Sequence, residues 1–437
     1  MATMLRGRRS DATAAPGTRA ARPSWGARVA ARAGRGAARV SRGLGVGGAA
    51  VLPGRVASAL WPGALRELAA GRHVTLVAGT NGKTTTTHML AAATATAGPV
   101  AHNRTGANMA DGALAALIDA PTAPRAVLEV DELHLPAVAA ATDPAVIVLL
   151  NLTRDQLDRV SEVGRTAAAI RAALAARPGT AVVANADDPL IAWAAGGSAH
   201  TTWVGAGARW RGDSHVCPRC ATLLVDDGGC WACPGCGLRR PEVTWWAEEV
   251  GGDALVVHGP GPAEGLALRP GLPGAANRAN ALMALAASAA TGTPVAPAAA
   301  AIAVGDEVVG RYARRRVGPW TLRLLLVKNP AGWQQTQEIL DPAAAVLMVV
   351  NARQADGADV SWLWDLDLTS LAGRQLAVAG ERGADLGVRL SYAGVAHHHA
   401  PDPLAALRAL PAGPVDVVAN YSAFLALHGR LAREREQ

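Results

Sequence analysis

The chain has 437 residues, half of them apolar, enough for two or three domains with cores of their own. Its net charge of +7 is concentrated at the N-terminus, and its five cysteines all fall between Cys217 and Cys236. No run of about 18 strongly apolar residues is present, no apolar leader with a cleavage site follows the basic start, and a secreted disulfide framework would scatter the cysteines. A cytosolic protein is therefore expected, with peripheral contact at the inner face of the membrane left open.

Residues 1–53 read as an Arg- and Ala-rich arm. The first fifty residues hold ten arginines and one acid, Asp11. Arg28, Arg32, Arg35, Arg39 and Arg42 recur at intervals of three or four, which puts them on one helix face. Gly34 and Gly36 weaken that helix and its other face is mostly Ala, too small to insert deeply into lipid. A solvated, partly disordered arm is expected, with a membrane-surface or acidic-partner contact as the alternative.

A helix over Val56–Ala70, interrupted at Trp61-Pro62-Gly63, leads into the apolar run Val74–Ala78. That run breaks into Gly79-Thr80-Asn81-Gly82-Lys83-Thr84 and a helix-compatible segment. This order reads as a strand, a phosphate loop and a helix N-terminus: Gly79 and Gly82 let successive N–H groups turn inward, and the helix adds its positive end. Lys83 would reach the β/γ-phosphates of a nucleotide, and Thr84 would hold Mg2+. Val77 stands where the usual G-x-x-x-x-G-K-[ST] pattern has its first Gly, so the loop is a shortened variant. Of the 42 basic residues only Lys83 and Lys328 are lysines, which suggests that a compact ammonium is required there.

Further apolar runs at Ala126–Val130, Ala145–Leu150 and Ala181–Ala184 alternate with Ala-rich helical stretches, the pattern of a parallel sheet covered on both faces. Polar clusters follow the strands. Glu129 is the first choice for a Mg2+ ligand, with Asp131 and Glu132 in reserve. Asn151 to Arg159 and Asn185 to Pro189 come after the next two strands, each explicable alone as a helix cap but together suggesting a lined cleft. The turn His102 to Met109 has the composition of a ligand-contacting loop or of an ordinary connector.

Cys217-Pro218-Arg219-Cys220 and Cys233-Pro234-Gly235-Cys236, twelve residues apart, form a zinc-ribbon pattern inserted at about 210–245. Cys217, Cys220, Cys233 and Cys236 would close a tetrahedral, structural zinc site. Cys230 is the spare, and a redox dithiol pair is the alternative. Beyond it, Asn277 and Asn280 share a helix face that could point at a nucleotide, or serve as cap and surface amide. Strand-like runs return at Leu322–Val327, Ala345–Val350, Gln375–Ala379 and Val415–Ala419, a second α/β unit. It carries Lys328-Asn329-Pro330 and a long polar loop, Asn351 to Asp365, containing two Trp.

Taken together, Gly79–Thr85 resembles the phosphate loop of the Mur ligases, the ATP-dependent amide ligases of peptidoglycan synthesis, and Asn277–Asn280 resembles their adenine-side helix. The four-cysteine ribbon, Asn151–Arg159, Lys328-Asn329-Pro330 and Ala355–Asp365 look like the ligase-type subunit of lipid II isoglutaminyl synthase. The resemblance covers residue 54 to the end. The fold class it implies is α/β: a Mur-ligase-like phosphate-loop ATPase domain over 54–310 with an inserted four-cysteine zinc ribbon, then a Rossmann-like α/β C-terminal domain over 311–437. The implied cofactors are ATP, Mg2+ and structural Zn2+, with Gly79, Asn81, Gly82, Lys83, Thr84, Glu129, Asn277, Asn280 and Arg311 on the nucleotide and metal.

The implied activity is amidation of the D-glutamate α-carboxyl of the lipid II stem peptide through an acyl phosphate, with ammonia from a glutaminase partner, GatD, in a heterodimer. Gln156 stands where most Mur ligases place a metal-binding His, and no Lys lies between residues 84 and 327 to be carbamylated. Both departures fit ammonia rather than an amino acid as nucleophile. By the same resemblance Asp359 would lend the partner's His an orienting acid, with Asp356 and Asp365 as fallbacks and a loop cap as the bland reading. An amino-acid-adding Mur or folylpolyglutamate-type ligase and a zinc-ribbon nucleic-acid-binding ATPase are the rival readings. The ribbon's few basic residues argue against the second, and no nucleic-acid partner is expected.

Overall fold

Two parallel sheets follow one another along the chain, each built from short apolar strands and Ala-rich helices. The computed structural model describes residues 23–43, 51–103, 106–155, 162–207, 212–304 and 312–434. The first unit runs α1 (Trp25–Gly43), α2 (Leu52–Leu60), α3 (Ala64–Ala69), β1 (His73–Ala78), α4 (Lys83–Ala95), β2 (Val100–His102), α5 (Ala110–Asp119), β3 (Arg125–Glu129), α6 (Leu135–Thr142), β4 (Val146–Leu149), α7 (Val163–Ala175), β5 (Ala181–Asn185), α8 (Pro189–Ala195) and β6 (Thr201–Val204). Its six strands lie in the order β2-β3-β1-β4-β5-β6, and every pairing is parallel.

Such strands are buried on both faces, which explains their unbroken apolar runs. In β1, Val74, Leu76 and Ala78 join the layer under α5, α6 and α7, while Val77 joins the layer under α4. The chain leaves β1 for one side of the sheet and later returns to its other side with β4. The C-terminal end of β1 is therefore a topological switch point, where open α/β sheets gather ligands.

After β6 come a two-stranded ribbon, β7 (Val225–Asp227) and β8 (Cys230–Ala232), and an antiparallel meander, β9 (Trp246–Gly251), β10 (Ala254–His258) and β11 (Leu266–Leu268). Helices α9 (Ala275–Ala290) and α10 (Val295–Ile302) close the unit. The second unit runs β12 (Tyr312–Val317), β13 (Trp320–Leu326), α11 (Pro330–Gln337), β14 (Ala345–Val349), β15 (Leu376–Ala379), α12 (Gly383–Tyr392), β16 (His398–His399), α13 (Pro403–Arg408), β17 (Gly413–Ala419) and α14 (Tyr421–Glu434). Its order is β12-β13-β17-β14-β15-β16, antiparallel only at β12/β13. One apolar cluster extends from Val77 and Leu90 through Met283 to Trp333 and Met348, so the two units share a core layer.

Within the N-terminal arm, the described helix corrects the expectation of a solvated segment. Residues 25–43 form a full helix whose Ala27, Ala30, Ala31 and Ala38 are buried. The reason lies in the two features that argued against packing. Small side chains let α1 approach closely, and at Gly34 an added Cβ would sit 2.4 Å from the Pro53 carbonyl oxygen, so this glycine is where α1 crosses α2. Each buried methyl contributes about 0.8 kcal/mol. Arg28, Arg32 and Arg39 remain exposed, while Arg35 donates to the Ile118 carbonyl at 3.2 Å.

A candidate nucleotide and acceptor site

The turn after β1 needs glycine at both ends. Gly79 has φ +148° and an added Cβ would lie 2.9–3.0 Å from Leu150 and Asn151; Gly82 has φ +82° and a Cβ there would meet Asn280 Oδ1 at 2.4 Å. Asn151, at the end of β4, holds the loop from below: its side chain accepts from Asn81 N (2.9 Å) and donates to Asn81 O (3.0 Å), and its carbonyl accepts from Thr80 N (2.9 Å). Thr80 Oγ1 donates to Glu132 (2.9 Å) and accepts from Thr153 N (3.0 Å).

Lys83 is 4 % exposed, and Nζ donates to Glu132 Oε2 at 2.9 Å and to the Thr80 carbonyl at 3.3 Å, with Asp131 at 3.8 Å. Burial opposes its charge, but Glu132, Asp131 and Glu129 outweigh burial and raise its pKa. Burial likewise opposes ionisation of Glu132, yet Lys83 and Lys328 hold its carboxyl at about 2. The phosphate-loop cation is thus kept charged by acids at the end of the neighbouring strand.

Glu129 is fully buried, and neither carboxylate oxygen has a hydrogen-bond partner among the described residues. Its backbone is clamped by Asn103, whose Oδ1 accepts from Glu129 N (2.8 Å) and whose Nδ2 donates to Glu129 O (2.9 Å). Gly106 brings its backbone beside Thr84 and Glu129 together, with an added Cβ 3.3 Å from Thr84 Oγ1 and 3.7 Å from Glu129 Oε2. A buried carboxylate left without donors fits a cation, and hard oxygen donors from Glu129 and Thr84 suit Mg2+.

Two cavities flank the loop. The first, about 370 Å3, lies between the loop, the ends of β4 and β5, the meander and α9; Asn81, Gly82, Asn185, Asp187, Arg278 and Asn280 line it. Asn280 faces this cavity beside Gly82. Asn277 does not: its side chain donates back to the Pro273 carbonyl (2.7 Å), just before α9 begins, and it lines a smaller neighbouring pocket. Arg278, passed over in the sequence, lines the cavity and is fixed by Glu249 and Asp253 at 2.8 and 2.9 Å. Asp188 caps α8 and accepts from Leu152 N; burial pushes its carboxyl up to about 6 despite three backbone donors.

The second cavity, about 390 Å3, lies on the other side of the loop and is lined by Thr80, Asp131, Glu132, Asp155, Lys328 and Met109 among others. The C-terminal unit closes it. Lys328 forms an ion pair with Asp155, and Asn329, which caps α11, donates to Asn81 Oδ1 at 3.1 Å. Both lysines of the chain therefore converge on one loop, a convergence that the sequence hints at only through their rarity. Gln156 and Arg311 lie outside the described residues.

The four cysteines of the ribbon form a cluster with all Sγ atoms within 4.8 Å, including Cys217–Cys236 at 3.6 Å and Cys220–Cys233 at 3.4 Å. Zn–S bonds of about 2.3 Å in a tetrahedron require sulfurs about 3.8 Å apart, so the set fits zinc. Matching turns shape the two halves: Cys217 N bonds Thr222 O and Cys233 N bonds Leu238 O. Cys230 stands outside the cluster and is exposed. The ribbon is anchored beside the first cavity by Trp231, fully buried, whose indole donates to Ala186 O (3.1 Å), and by Arg240, which bonds Asp187 (2.6 Å).

Asp359 lies apart from the loop, before the 3-10 turn Ser361–Asp365, where one carboxylate oxygen accepts from Ser361 N at 2.7 Å. Asp356 is consumed by the backbone and hydroxyl of Ser422, and Asp365 faces Arg154 at 3.6 Å. Within this turn Trp364 stands exposed, edge to face with the exposed Tyr392 of α12 at 5.4 Å.

A family model of the Mur ligase middle domain matches residues 77–211, and one of the MurT ligase C-terminal domain matches 326–424. Among curated proteins, the lipid II isoglutaminyl synthase (glutamine-hydrolyzing) subunit MurT of Streptococcus pneumoniae is 29% identical over 384 residues, covering 80% of this chain and 83% of the relative. The Staphylococcus aureus (strain N315) protein of the same name is 28% identical over 367 residues, with 79% and 83% covered. A pseudomurein peptide ligase type C from Methanothermus fervidus superposes with a TM-score of 0.68 at 19% identity over 84% of this chain and 79% of its own. MurF from Acinetobacter baumannii gives 0.65 at 17% identity over 88% and 81%. With a Mur ligase middle domain followed by a MurT-type C-terminal domain, the chain belongs to the Mur ligases, in their MurT branch, and is a ligase.

Proposed function

We propose that this chain is the synthetase subunit of a lipid II isoglutaminyl synthase. It would use ATP to convert the α-carboxyl of the stem-peptide D-glutamate to the carboxamide, with ammonia delivered by a GatD-like class I glutaminase. The observation that carries the reading is the pair of cavities on either side of one glycine loop, with Lys83 held by Glu132 and Thr80 behind the second and Lys328 reaching into that cavity from the C-terminal unit. The first cavity suits the nucleotide and the second the acceptor carboxylate.

In this reading the γ-phosphoryl group passes to the carboxylate, ADP leaves, and ammonia displaces phosphate from the acyl phosphate. Thr84 and Glu129 would hold Mg2+, which supplies charge neutralisation on the phosphates. The loop N–H groups and Lys83 would bind the transferring group, Lys328 faces the acceptor side, and the Asn329–Asn81 hydrogen bond ties the second unit to the loop. Zn2+ in the four-cysteine cluster would be structural, since four protein thiolates leave no open position.

Glutamine hydrolysis needs an activated nucleophile, usually Cys with a His partner. Four of the five cysteines are in the four-thiol cluster and Cys230 is on the same ribbon, so that chemistry would fall to the partner. Asp359 keeps one carboxylate oxygen clear of its capping bond, and the exposed Trp364 and Tyr392 beside it suit a docking face. The test is co-expression with a class I glutaminase and a mass assay of lipid II incubated with ATP, Mg2+ and either glutamine or ammonium. Carboxamide formation with ammonium alone, and with glutamine only when the partner is present, is the expected result. ATP turnover without amidation under both nitrogen sources would overturn the assignment.

A further inference from the structure

Among the described residues, only one of the two faces of α1 is covered. Its Ala side packs on α2 and α5, whereas the opposite side presents Trp25 (74 % exposed), Val29 and Val40 (61 %) interleaved with Arg28, Arg32 and Arg39. These positions fall three, four, seven, fourteen and fifteen residues after Trp25, a single stripe along the helix. The helix contains no acid. At its start Glu67 is committed to Ser24 N (2.7 Å) and to the Trp61 indole (2.7 Å), and Trp61 and Leu60 extend the apolar surface at that end.

Single exposed Trp or Val side chains are ordinary on a surface, but here they line up with the arginines on one helix face, and a polyanion groove would use the arginines while leaving those side chains without a role. An anionic lipid surface accounts for both: guanidinium groups meet the phosphates, and Trp and Val enter the boundary between headgroups and acyl chains. We propose that this face of α1 is a lipid-contact surface that lays the chain on membranes containing anionic phospholipid. Residues 1–22 add five arginines and one acid to the same end of the sequence.

The placement suits the acceptor cavity. α1 touches α2 at Gly34–Pro53, and α2 touches the start of α5 at Gly54–Asp111, with Ser58 Oγ donating to Asp111 at 2.9 Å. Met109, just before α5, is half exposed and lines that cavity. The biological sense of the surface rests on the proposed lipid substrate, but its existence does not.

Flotation of the full chain with vesicles of phosphatidylcholine, and of phosphatidylcholine with phosphatidylglycerol, tests the surface without ATP, lipid II or a partner. Binding is expected only with the anionic lipid. At about 1 kcal/mol per basic residue, the R28Q/R32Q/R39Q triple variant should bind on the order of a hundredfold more weakly, with an unchanged melting temperature and unchanged amidation of a water-soluble acceptor. Trp25→Ser alone should weaken binding at constant charge. Equal binding to neutral vesicles, no binding by the native chain, or loss in the triple variant of duplex DNA binding rather than vesicle binding would each overturn the proposal. Because no reaction is measured in the flotation, failure there is distinct from failure of the amidation assignment.

Discussion

Replacing Glu132 by Gln tests the electrostatics of the phosphate loop while keeping one of its two accepted hydrogen bonds, because the amide oxygen can still accept from Lys83 or Thr80. At 2.9 Å the Lys83–Glu132 pair attracts by about 6 kcal/mol at an effective dielectric of about 20, before desolvation is subtracted. The net effect is smaller: a carboxyl lowered from 4.5 to about 2 corresponds to about 3 kcal/mol of folding stability at neutral pH. The folded-state value is depressed, so this contribution is present above pH 4.5 and is lost as pH falls toward 2. Urea unfolding at pH 7 should therefore find E132Q less stable by up to about 3 kcal/mol, with the gap to the native chain closing through that acid window. Glu132 also competes with phosphate for Lys83, so a non-hydrolysable ATP analogue with Mg2+ should stabilise the variant more than the native protein. Equal stability at pH 7, or a gap that persists unchanged at about pH 3, would refute the reasoning.

Asp359→Asn should abolish glutamine-dependent amidation in the partnered complex while leaving ammonium-dependent amidation intact; joint loss of both would move Asp359 into the synthetase site or the folding of its loop. Gly82→Ala forces a left-handed backbone, costing about 1–2 kcal/mol, and drives a methyl into Asn280, so calorimetric ATP affinity should fall at least tenfold. Gly36→Ala is the contrasting case. It meets nothing within 4 Å, lies inside α1, and should raise stability by about 0.5–1 kcal/mol. Trp231→Phe removes the indole donor to Ala186 and should cost about 1 kcal/mol at the ribbon's anchor. Nucleotide affinity should weaken about fivefold, while bound zinc, measured by atomic absorption, stays constant.

Where one local rule governs, the sequence is readable. The turn after β1 announces itself because glycine suits the dihedrals at Gly79 and Gly82, and the cysteine pairs do so because two short turns bring four thiols within 4.8 Å of one another. Buried parallel strands show as apolar runs at Ala126–Val130 and Val415–Ala419, close to β3 and β17. The meander β9–β11 escapes a sequence reading although Gly251-Gly252, with φ +115° and +56°, marks a hairpin turn; the exposed strand β9 lacks a clear alternation. Asn103 reads only as part of a turn that is either ligand-contacting or a connector, because its role, clamping Glu129 across 26 positions, exists only after the strands pair. The same holds for Asn151 and for Asp155 opposite Lys328. The Ala face of α1 misleads because propensity and side-chain size say nothing of the partner helix that makes small residues an advantage.

The position of β17 has a consequence for how the protein is made. It lies between β13 and β14 in the middle of the second sheet, yet it is the last strand in the chain. During synthesis the segment carrying Lys328 and Asn329 emerges long before β17, so the arm that reaches the loop has β12 beside β13 but lacks its partner strand on the other edge until residues 413–419 arrive. A ribosome-bound chain can fold its first sheet and still lack the second half of its site. Truncation anywhere before Gly413 should leave a first unit without a firmly placed Lys328.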